Sequence, residues 1–328
     1  MSQSLDPAQA ATLVFGDQRI DLLEGESVLE GLERAGVDAP AGCRAGTCCK
    51  CMQQADNPPP ESQRQLRPTL RAQGFFLACQ AYPKEPLYMA STEPPAPISA
   101  RVVSVESLSS DVRRLRLRPA QQFTYRPGQY LDVLHSSAAV RSYSIASLPS
   151  DGLLELHVRR IEGGLVSGYL HELEVGADVS IRGAFGQCFH VADDPDKPLL
   201  LVGAGTGLAP LLGIARDALD QGHRGAIRLV HGGLQPDRLY LRDELAQLAE
   251  TWPQLSIHPC VLRDAGASER QGALDQVAVQ VAGSTLGETR AFLCGDSDLV
   301  RILQRSLFLA GMSSAEILAD PFDAALSP

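Results

Sequence analysis

The sequence predicts three domains of different fold class: a small β-grasp-like α+β module, an antiparallel β-barrel and a parallel-sheet α/β domain. Three observations predict this division. Five of the eight cysteines fall within residues 1–92. Short strand-like runs separated by turn residues fill residues 101–196, which is typical of an antiparallel barrel. Apolar strands, glycine-containing loops and long helices then alternate over residues 197–328, which indicates a parallel sheet flanked by helices.

Length and composition agree with a multi-domain protein that is neither membrane-spanning nor a nucleic-acid binder. A chain of 328 residues exceeds what one hydrophobic core usually organises. Its formal net charge of −10 argues against a nucleic-acid partner, which would call for a basic surface. The chain contains neither a run of 18 apolar residues nor a secretory signal at its start, so we expect a cytoplasmic protein without a membrane partner. The stretch STEPPAPISA carries three prolines and predicts a linker over residues 93–100.

The first domain begins with a predicted hairpin and a short helix. The apolar runs TLVF and RIDLL flank Gly16 and Asp17, a plausible hairpin turn. Ser27 precedes VLEGLERAG and is a candidate helix N-cap, with Gly36 near the helix end. A long glycine-containing loop with four cysteines follows, so this module presents the loop as a ligand-binding segment.

The loop CRAGTCCKC has the cysteine spacing of a plant-type iron–sulfur site. Cys43, Cys48 and Cys51 satisfy C-x4-C-x2-C, and Cys79 follows in FFLACQA. This spacing is typical of a [2Fe–2S] cluster held by four thiolates. The buried anionic cluster requires backbone N–H donors near its sulfurs, and small residues such as Ala45 and Gly46 permit that approach.

Two other interpretations of the cysteines remain open at this point, and Cys49 is left over. Zinc sites of four cysteines usually combine two short C-x2–4-C hairpins, whereas this chain has one. A disulfide framework is conceivable, but clustering within one loop favours metal or redox chemistry. Adjacent residues project in different directions, so we expect Cys49 to be a small buried side chain rather than a ligand.

The middle domain contains two patterns suited to a flat ring carrying phosphates. RSYSIAS places Arg141 and Tyr143 on one face of a strand, where a guanidinium can neutralise a pyrophosphate and an aromatic ring can flank a planar group. An ordinary strand would also explain these residues. Further on, Gly163 and Gly164 precede a helix that begins near Val166 and Ser167, and such a helix N-terminus favours anions.

The third domain carries a glycine turn between an apolar strand and a helix. LLLVGAGTGLAP contains Gly203, Gly205 and Gly207, which differ from the G-x-G-x-x-G fingerprint but would let a pyrophosphate approach backbone amides. A glycine turn without a ligand is the alternative. A later strand, RAFLCGD, ends at Cys294 and Gly295.

In order and content, these motifs resemble the three-part iron–sulfur flavoprotein reductases of the ferredoxin–NADP reductase superfamily. The nearest resemblance is to the reductase components of bacterial aromatic-ring dioxygenases and related multicomponent oxygenases, and it covers nearly the whole chain. It implies a [2Fe–2S] ferredoxin domain (1–92), an FAD-binding barrel (101–196) and an NAD(P)H-binding domain (197–328).

The resemblance also implies roles for individual residues. Arg141 and Ser167 would contact the FAD pyrophosphate, Tyr143 would stack on the isoalloxazine, and Ser144 would sit near its N5 atom. Cys294 would lie where nicotinamide meets flavin, and Phe322 would cover the flavin face; a structural thiol and a core phenylalanine are the alternatives. The full set of implied cofactor-binding residues is Arg141, Ser142, Tyr143, Ser144, His157, Val158, Gly164, Val166, Ser167, Gly203, Gly205, Thr206, Gly207, Cys294, Gly295 and Phe322. Of these, Ser144, Cys294 and Phe322 are the candidate catalytic residues.

Three positions depart from the family pattern. Ser297 and Leu299 stand where relatives usually carry proline and methionine. Pro321 and the tail DAALSP also depart from the commoner sequence pattern of the family. These changes bear on how the nicotinamide is placed, while the domain assignment is independent of them.

The implied function is an electron-splitting reductase that passes electrons from NAD(P)H through FAD to the cluster and then to an oxygenase component or its ferredoxin. HGGLQPDRLY offers few basic side chains for a 2′-phosphate, which favours NADH. Residues 1–98 contain 8 basic and 12 acidic residues, so an acidic docking face is expected. Alternatives are a same-family reductase serving a deoxysugar dehydrase, flavin or ferric iron, and a redox-sensing module without turnover.

Overall fold

The computed structural model describes residues 11–90, 94–136 and 139–322. The chain forms two compact units, residues 1–94 and 95–328. Within the described ranges, no helix combines the length and the apolar character needed to cross a membrane. The boundaries proposed at residues 92, 100 and 196 stay a prediction; the first strand of the second unit begins at Ile98, inside the proposed linker.

The first unit begins with the expected hairpin and helix. Strands β1 (Thr12–Phe15) and β2 (Gln18–Asp21) pair antiparallel around Gly16, which has φ 54°. Helix α1 (Val28–Arg34) starts at Ser27, whose hydroxyl accepts from the Glu30 N–H while the Glu30 carboxylate accepts from the Ser27 N–H. This reciprocal arrangement is a capping box, so the sequence identified the helix start correctly.

The rest of the first unit packs a small core beneath the cysteine loop. It adds β3 (Met52–Gln54), α2 (Pro68–Ala72), β4 (Phe75–Leu77) and β5 (Leu87–Tyr88). β5 lies parallel to β1 in a three-stranded sheet, and β3 pairs with β4. Leu13, Leu29 and Phe76 are fully buried in the core, which also contains Cys51 and Cys79.

The second unit begins with an antiparallel barrel. Its strands are β6 (Ile98–Ser107), β7 (Val112–Pro119), β8 (Tyr130–Ser136), β9 (Ala139–Ser144), β10 (Leu154–Arg159) and β11 (Asp178–Phe185), with helix α3 (Leu165–Glu172) between the last two. The order is β10-β7-β6-β11-β8-β9. A bridge between Ile145 and Leu156 joins the two outer strands, so the sheet closes on itself as predicted.

The remainder of the second unit is a parallel six-stranded sheet flanked by helices. Its elements are β12 (Leu199–Ala204), α4 (Leu208–Asp220), β13 (Ile227–Gly233), α5 (Arg242–Thr251), β14 (Leu255–Val261), β15 (Arg270–Gln271), α6 (Leu274–Ala282), β16 (Arg290–Asp296), α7 (Ser297–Leu309) and β17 (Ile317–Phe322). The order β15-β14-β13-β12-β16-β17 confirms the predicted fold class.

The strand order of this sheet indicates where a ligand can bind. The chain moves outward from β12 through β13 and β14, then returns to place β16 on the other side of β12. Ligands of open α/β sheets bind outside the carboxyl ends of the strands at such a switch point. Here that edge carries the glycine turn after β12 and the Cys294–Gly295 end of β16.

Candidate functional site

The four predicted cluster cysteines lie in two pairs. In the first pair, the sulfur of Cys43 accepts from the backbone N–H groups of Ala45 (3.4 Å) and Cys48 (3.3 Å), and the Cys43 N–H donates to the Cys48 sulfur (3.3 Å). The Thr47 hydroxyl also donates to Cys43. The Thr47 hydroxyl, followed by these amides, lowers the pKa of the Cys43 thiol to about 6. The loop therefore favours a thiolate, the form that binds metal.

The second pair is buried. The sulfurs of Cys51 and Cys79 lie 3.3 Å apart, and burial raises the pKa of the Cys51 thiol. Across the described ranges, no three metal-ligating side chains converge on a single point. Two pairs of sulfurs, with N–H donors aimed at the exposed pair, fit a two-iron centre better than a single zinc ion.

The prediction that Cys49 is buried was wrong. Cys49 is exposed and has φ 54°, in the left-handed region that most residues avoid. Cys51, two positions later, is buried, whereas Cys48 and Cys49 are both exposed. Cysteine at this position carries a steric cost that glycine would avoid, since glycine adopts positive φ freely.

The side chains of the R-x-Y-S residues on strand β9 differ in their exposure to solvent. Arg141 and Ser142 are exposed; the Ser142 hydroxyl donates to Asp132 (2.9 Å) and the Arg141 guanidinium to the neighbouring Val140 carbonyl (2.6 Å). Tyr143 is half-buried against the barrel core, and burial raises its pKa to about 12. Arg141 thus offers a charge to solvent beside a neutral aromatic ring.

Ser144 makes a contact that the sequence did not reveal. Its hydroxyl donates to the Asp320 carboxylate on β17, at 3.0 Å. Asp320 is half-buried, and its partial burial raises its pKa to about 6, against the lowering effect of the Ser144 hydrogen bond. Asp320 also pairs in register with Cys294 on the adjacent strand. In the sequence, the one sign of this contact was an acidic residue, Asp320, two positions before Phe322.

Cys294 is fully buried and has a sulfur neighbour. Its Sγ lies 3.9 Å from the Sγ of Cys188, and burial raises its pKa well above the ordinary thiol value. Cys188, in the segment after the barrel, was missed because nothing in its surroundings in the sequence marks it. Phe322 ends β17 half-buried, with its carbonyl accepting from the Ser297 hydroxyl at 3.4 Å.

Two of the predicted flavin residues point into the protein. Nε2 of His157 lies 3.0 Å from Glu155, and its Nδ1 lies 3.0 Å from the Tyr240 hydroxyl. Val158 is buried in the barrel core, and its carbonyl accepts from His171. The His157 side chain is therefore occupied within the protein, whereas the contact of Val158 is made by its backbone carbonyl, and the flavin-binding role of both residues stays a prediction. Burial lowers the pKa of His157 and favours its neutral form.

The turn before α3 is organised by Ser167. Its hydroxyl accepts from the Ile161 N–H (3.2 Å) and donates to the Gly164 carbonyl (3.3 Å). Gly164 is the N-cap, and Val166 packs in the barrel core. The Ser167 hydroxyl thus fixes the loop that exposes the first N–H groups of the helix, an arrangement suited to an anion.

The glycine turn after β12 fits tightly against β16. A Cβ added to Gly207 would lie 2.3 Å from the Cys294 carbonyl oxygen, and one on Gly203 would lie 2.8 Å from the same atom. Gly205 has φ 53°, and with Thr206 it is partly exposed at the start of α4. The absence of side chains therefore lets the turn and the Cys294–Gly295 strand end meet at one edge.

Comparisons with known families divide the chain into three matched regions. Residues 15–84 match a 2Fe-2S iron-sulfur cluster binding domain. Residues 99–190 match an oxidoreductase FAD-binding domain, and residues 201–305 match an oxidoreductase NAD-binding domain.

Individual relatives match over almost their whole length. The reductase component of the naphthalene 1,2-dioxygenase/salicylate 5-hydroxylase systems of Ralstonia sp. is 32% identical over 309 residues, 91% of this chain and 94% of the relative. The reductase subunit of an aromatic O-demethylase from Amycolatopsis sp. is 33% identical over 325 residues, 94% and 97% of the two chains.

Solved structures agree with this comparison. The Amycolatopsis cytochrome P450 reductase GcoB superposes with a TM-score of 0.67 at 31% identity, covering 95% of this chain and 98% of that one. The ferredoxin reductase of a carbazole 1,9a-dioxygenase shares the fold, with a TM-score of 0.64 at 24% identity and coverage of 95% and 98%.

Proposed function

This chain belongs to the family of [2Fe–2S]/FAD/NAD(P)H reductase components of multicomponent oxygenases, and we propose that it carries electrons from NADH to a cytoplasmic oxygenase component or its ferredoxin. When bound, FAD accepts the electron pair of a hydride and passes electrons on singly, and the cluster takes them one at a time. The observation that best supports this proposal is the convergence of Ser144, Asp320 and Cys294 at the ligand-binding edge of the nucleotide domain.

The cluster would be held by Cys43 and Cys48 on one side and by Cys51 and Cys79 on the other. The pairwise distances support this division. The amides of Ala45 and Cys48 already donate to the Cys43 sulfur, and such donors stabilise negative charge on cluster sulfurs. The loop therefore binds the cluster and partly compensates its charge.

The flavin would be held by the barrel. The exposed guanidinium of Arg141 and the helix start fixed by Ser167 offer two sites for a pyrophosphate, and the half-buried ring of Tyr143 offers a flat apolar surface. The hydroxyl of Ser144 is fixed in place by Asp320, and its O–H can turn to a ring nitrogen when Asp320 is protonated and donates to the Ser144 oxygen. These features support FAD in the barrel, with Ser142 exposed at its edge.

The nicotinamide would meet the flavin at the carboxyl edge of the parallel sheet. Gly203, Gly205, Thr206 and Gly207 would admit the pyrophosphate, while Cys294, Gly295 and Phe322 would border the nicotinamide. The buried thiol of Cys294 is neutral, so the nicotinamide would border an uncharged side chain there. Asp320 has a pKa of about 6 and bonds to Ser144, so its carboxyl can hold or release a proton beside the Ser144 hydroxyl.

The preference for NADH is supported by the surroundings of the two polar candidates after β13. The Arg238 guanidinium donates to Asp111 (3.1 Å) and lies 3.7 Å from Asp237, so two carboxylates already neutralise it. Tyr240 is fully buried. Neither is available to attract a 2′-phosphate. A larger kcat/KM for NADPH than for NADH would overturn this preference.

The experiment that tests the function is an anaerobic titration of the purified holoenzyme with NADH. We expect NADH to bleach both the flavin and the iron–sulfur absorbance. Colourless protein containing zinc, or failure of NADH to reduce the cluster, would contradict the proposal.

The acceptor class is tested by reconstitution. Relatives named for naphthalene dioxygenase systems and for an aromatic O-demethylase support an oxygenase acceptor, of Rieske, di-iron or cytochrome P450 type. Each oxygenase type should be compared with a deoxysugar dehydrase, free flavin and ferric citrate. Turnover with the last three alone would favour the alternative reductases, and no turnover with any acceptor would favour a sensor.

A further inference from the structure

The charges of the first unit are divided unevenly between the two halves of its sequence. Residues 11–39, which form the β1–β2 hairpin and α1, contain seven acidic and two basic residues. Residues 40–80, which contain the cysteine loop, contain five basic and two acidic residues. The acidic total of the unit therefore does not describe the surface around the exposed cysteines.

Three exposed cations border the loop that carries Cys43 and Cys48. Arg44 follows the first cysteine directly and is 54% exposed. A Cβ built on Gly42 would lie 2.8 Å from the Cys48 sulfur and 3.1 Å from Cδ of Lys50, so Lys50 and this sulfur border the same point.

The third cation comes from a segment further along the chain. A Cβ on Gly46 would lie 3.5 Å from Nε2 of Gln65, so the segment that carries Arg64, the residue before Gln65, passes near the loop. Lys50 and Arg64 are both exposed, and among the described residues Arg44 alone of the three has an acidic partner, Glu33 at 2.7 Å. We call Arg44, Lys50 and Arg64 the basic rim.

We propose that the basic rim is the docking surface for the electron acceptor, and that the acceptor presents an acidic protein surface. The exposed residues Cys43 and Cys48 lie in the same loop as Arg44 and Lys50, so electrons leaving the cluster at this edge pass positive side chains. Complementary charge steers transient partners and raises their association rate. This inference rests on the proposed function, and it reverses the sign of the docking face expected from the total charge of residues 1–98.

Cations beside an anionic cluster could also act by changing its reduction potential, and the experiment must separate the two effects. A change of potential would alter the oxidation of the cluster by every acceptor in the same direction. Electrostatic docking instead acts in opposite directions on anionic and cationic acceptors.

The first test uses two small acceptors of opposite charge. Holoenzyme reduced with dithionite is mixed in a stopped-flow instrument with ferricyanide or with hexaammineruthenium(III), and reoxidation is followed at the cluster absorbance. In the Lys50→Gln/Arg64→Gln variant at low ionic strength, we expect the ferricyanide rate constant to fall and the ruthenium rate constant to rise, each by about threefold per charge removed. Parallel changes, or none, would overturn the proposal.

The matched control is Arg19→Gln. Arg19 is an exposed arginine on the hairpin of the same unit, so the variant removes the same charge away from the loop. It should move both rate constants less than Arg64→Gln does. If the rim variants lose their cluster, the salt dependence of the wild-type protein decides: rising salt must slow ferricyanide and speed hexaammineruthenium(III).

The second test uses protein acceptors. Reduction of plastocyanin, an acidic protein, should slow in Lys50→Gln/Arg64→Gln and with added salt, whereas reduction of cytochrome c, a basic protein, should not slow. Slower cluster reduction by NADH with unchanged oxidation by plastocyanin would instead assign the rim to internal electron transfer. The small-acceptor test starts from dithionite-reduced protein, so it does not depend on NADH. If it fails while NADH reduces the cluster normally, only the docking proposal is contradicted. If it succeeds while NADH does not reduce the cluster, only the proposed function is contradicted.

Discussion

The hydroxyl of Tyr240, which follows β13 of the nucleotide domain, lies 3.0 Å from Nδ1 of His157 on β10 of the barrel. Both side chains are fully buried, and Nε2 of His157 continues the chain to Glu155. The ring of Tyr240 also packs edge-on against His231, at 5.4 Å between centroids. His231 pairs in register with Gly203 at the start of the glycine turn. A buried polar chain thus links the barrel to the turn that would bind the nucleotide.

Replacing Tyr240 with phenylalanine should destabilise the protein and weaken NADH binding. The change leaves Nδ1 of buried His157 without its partner, which costs about 1–3 kcal/mol in the free energy of unfolding. Since the same bond joins the barrel to the nucleotide domain, KM for NADH should rise while FAD content is retained. Denaturant unfolding and steady-state kinetics check these results.

Tyr125→Phe is the matched control for that change. Its hydroxyl is buried and lies 3.0 Å from the Ser147 hydroxyl, a contact within the barrel and its adjoining loop. We expect a loss of stability without a rise in KM for NADH. An equal rise in both variants would show that the Tyr240 bond has no specific link to the nucleotide site.

Asp320 should give flavin reduction a pH dependence near its raised pKa. Below about pH 6 the carboxyl is protonated, and above it the carboxylate accepts from Ser144. The rate of flavin reduction by NADH should therefore show an inflection near pH 6 that disappears in Asp320→Asn. A wild-type profile without that inflection would remove Asp320 from the reaction.

The same group makes a stability prediction whose sign is fixed by linkage. Folding raises the pKa of Asp320 from 3.8 to about 6, so the native state binds more protons than the unfolded chain between these pH values. The stabilising contribution of Asp320 is therefore present below about pH 4 and is lost as pH rises toward about 6. In Asp320→Asn this loss should be absent from the pH dependence of Tm, and a loss of the same size in the variant would refute the assignment.

Cys48→Ser should interrupt electron transfer after the flavin. With one of the four thiolates missing, NADH should bleach the flavin absorbance while cluster absorbance is weak or unresponsive. Absorbance spectra during anaerobic NADH titration measure both. The control is Cys49→Ser, because Cys49 is adjacent to Cys48 and equally exposed but lies outside the two sulfur pairs. Normal cluster reduction in Cys48→Ser would contradict the ligand set.

Gly207→Ala should damage the nucleotide site through a backbone clash. The added Cβ would lie 2.3 Å from the Cys294 carbonyl oxygen, so the turn or the strand must shift. We expect a loss of stability of about 1–3 kcal/mol, together with a higher KM for NADH. Gly168→Ala, in helix α3 with no atom within 4 Å of the new Cβ, should instead stabilise by about 0.5–1 kcal/mol. Denaturant midpoints and initial rates compare the two variants.

Local structural features, which depend only on residues close together in the chain, could be predicted from the sequence. The hairpin at Gly16, the capping box at Ser27 and the alternating strands and helices of the third domain follow from turn chemistry, capping and periodicity within short windows. The cysteine spacing is likewise local, because one loop carries three of the four proposed ligands. For the same reason, the three domains and their cofactors could be predicted before any contact was known.

Tertiary structure alone decided which distant groups meet and which way each side chain faces. Ser144 and Asp320 are 176 positions apart, and Cys188 and Cys294 are 106 apart, so no window of sequence relates them. The burial of the His157 side chain between Glu155 and Tyr240 likewise depends on a residue 83 positions away. The outward turn of Cys49 and the cations around the exposed sulfurs depend on backbone conformation and on the approach of Gln65 to Gly46. The net charge of residues 1–98 counts acidic and basic residues without their positions, whereas docking depends on which charges lie beside the exposed cysteines.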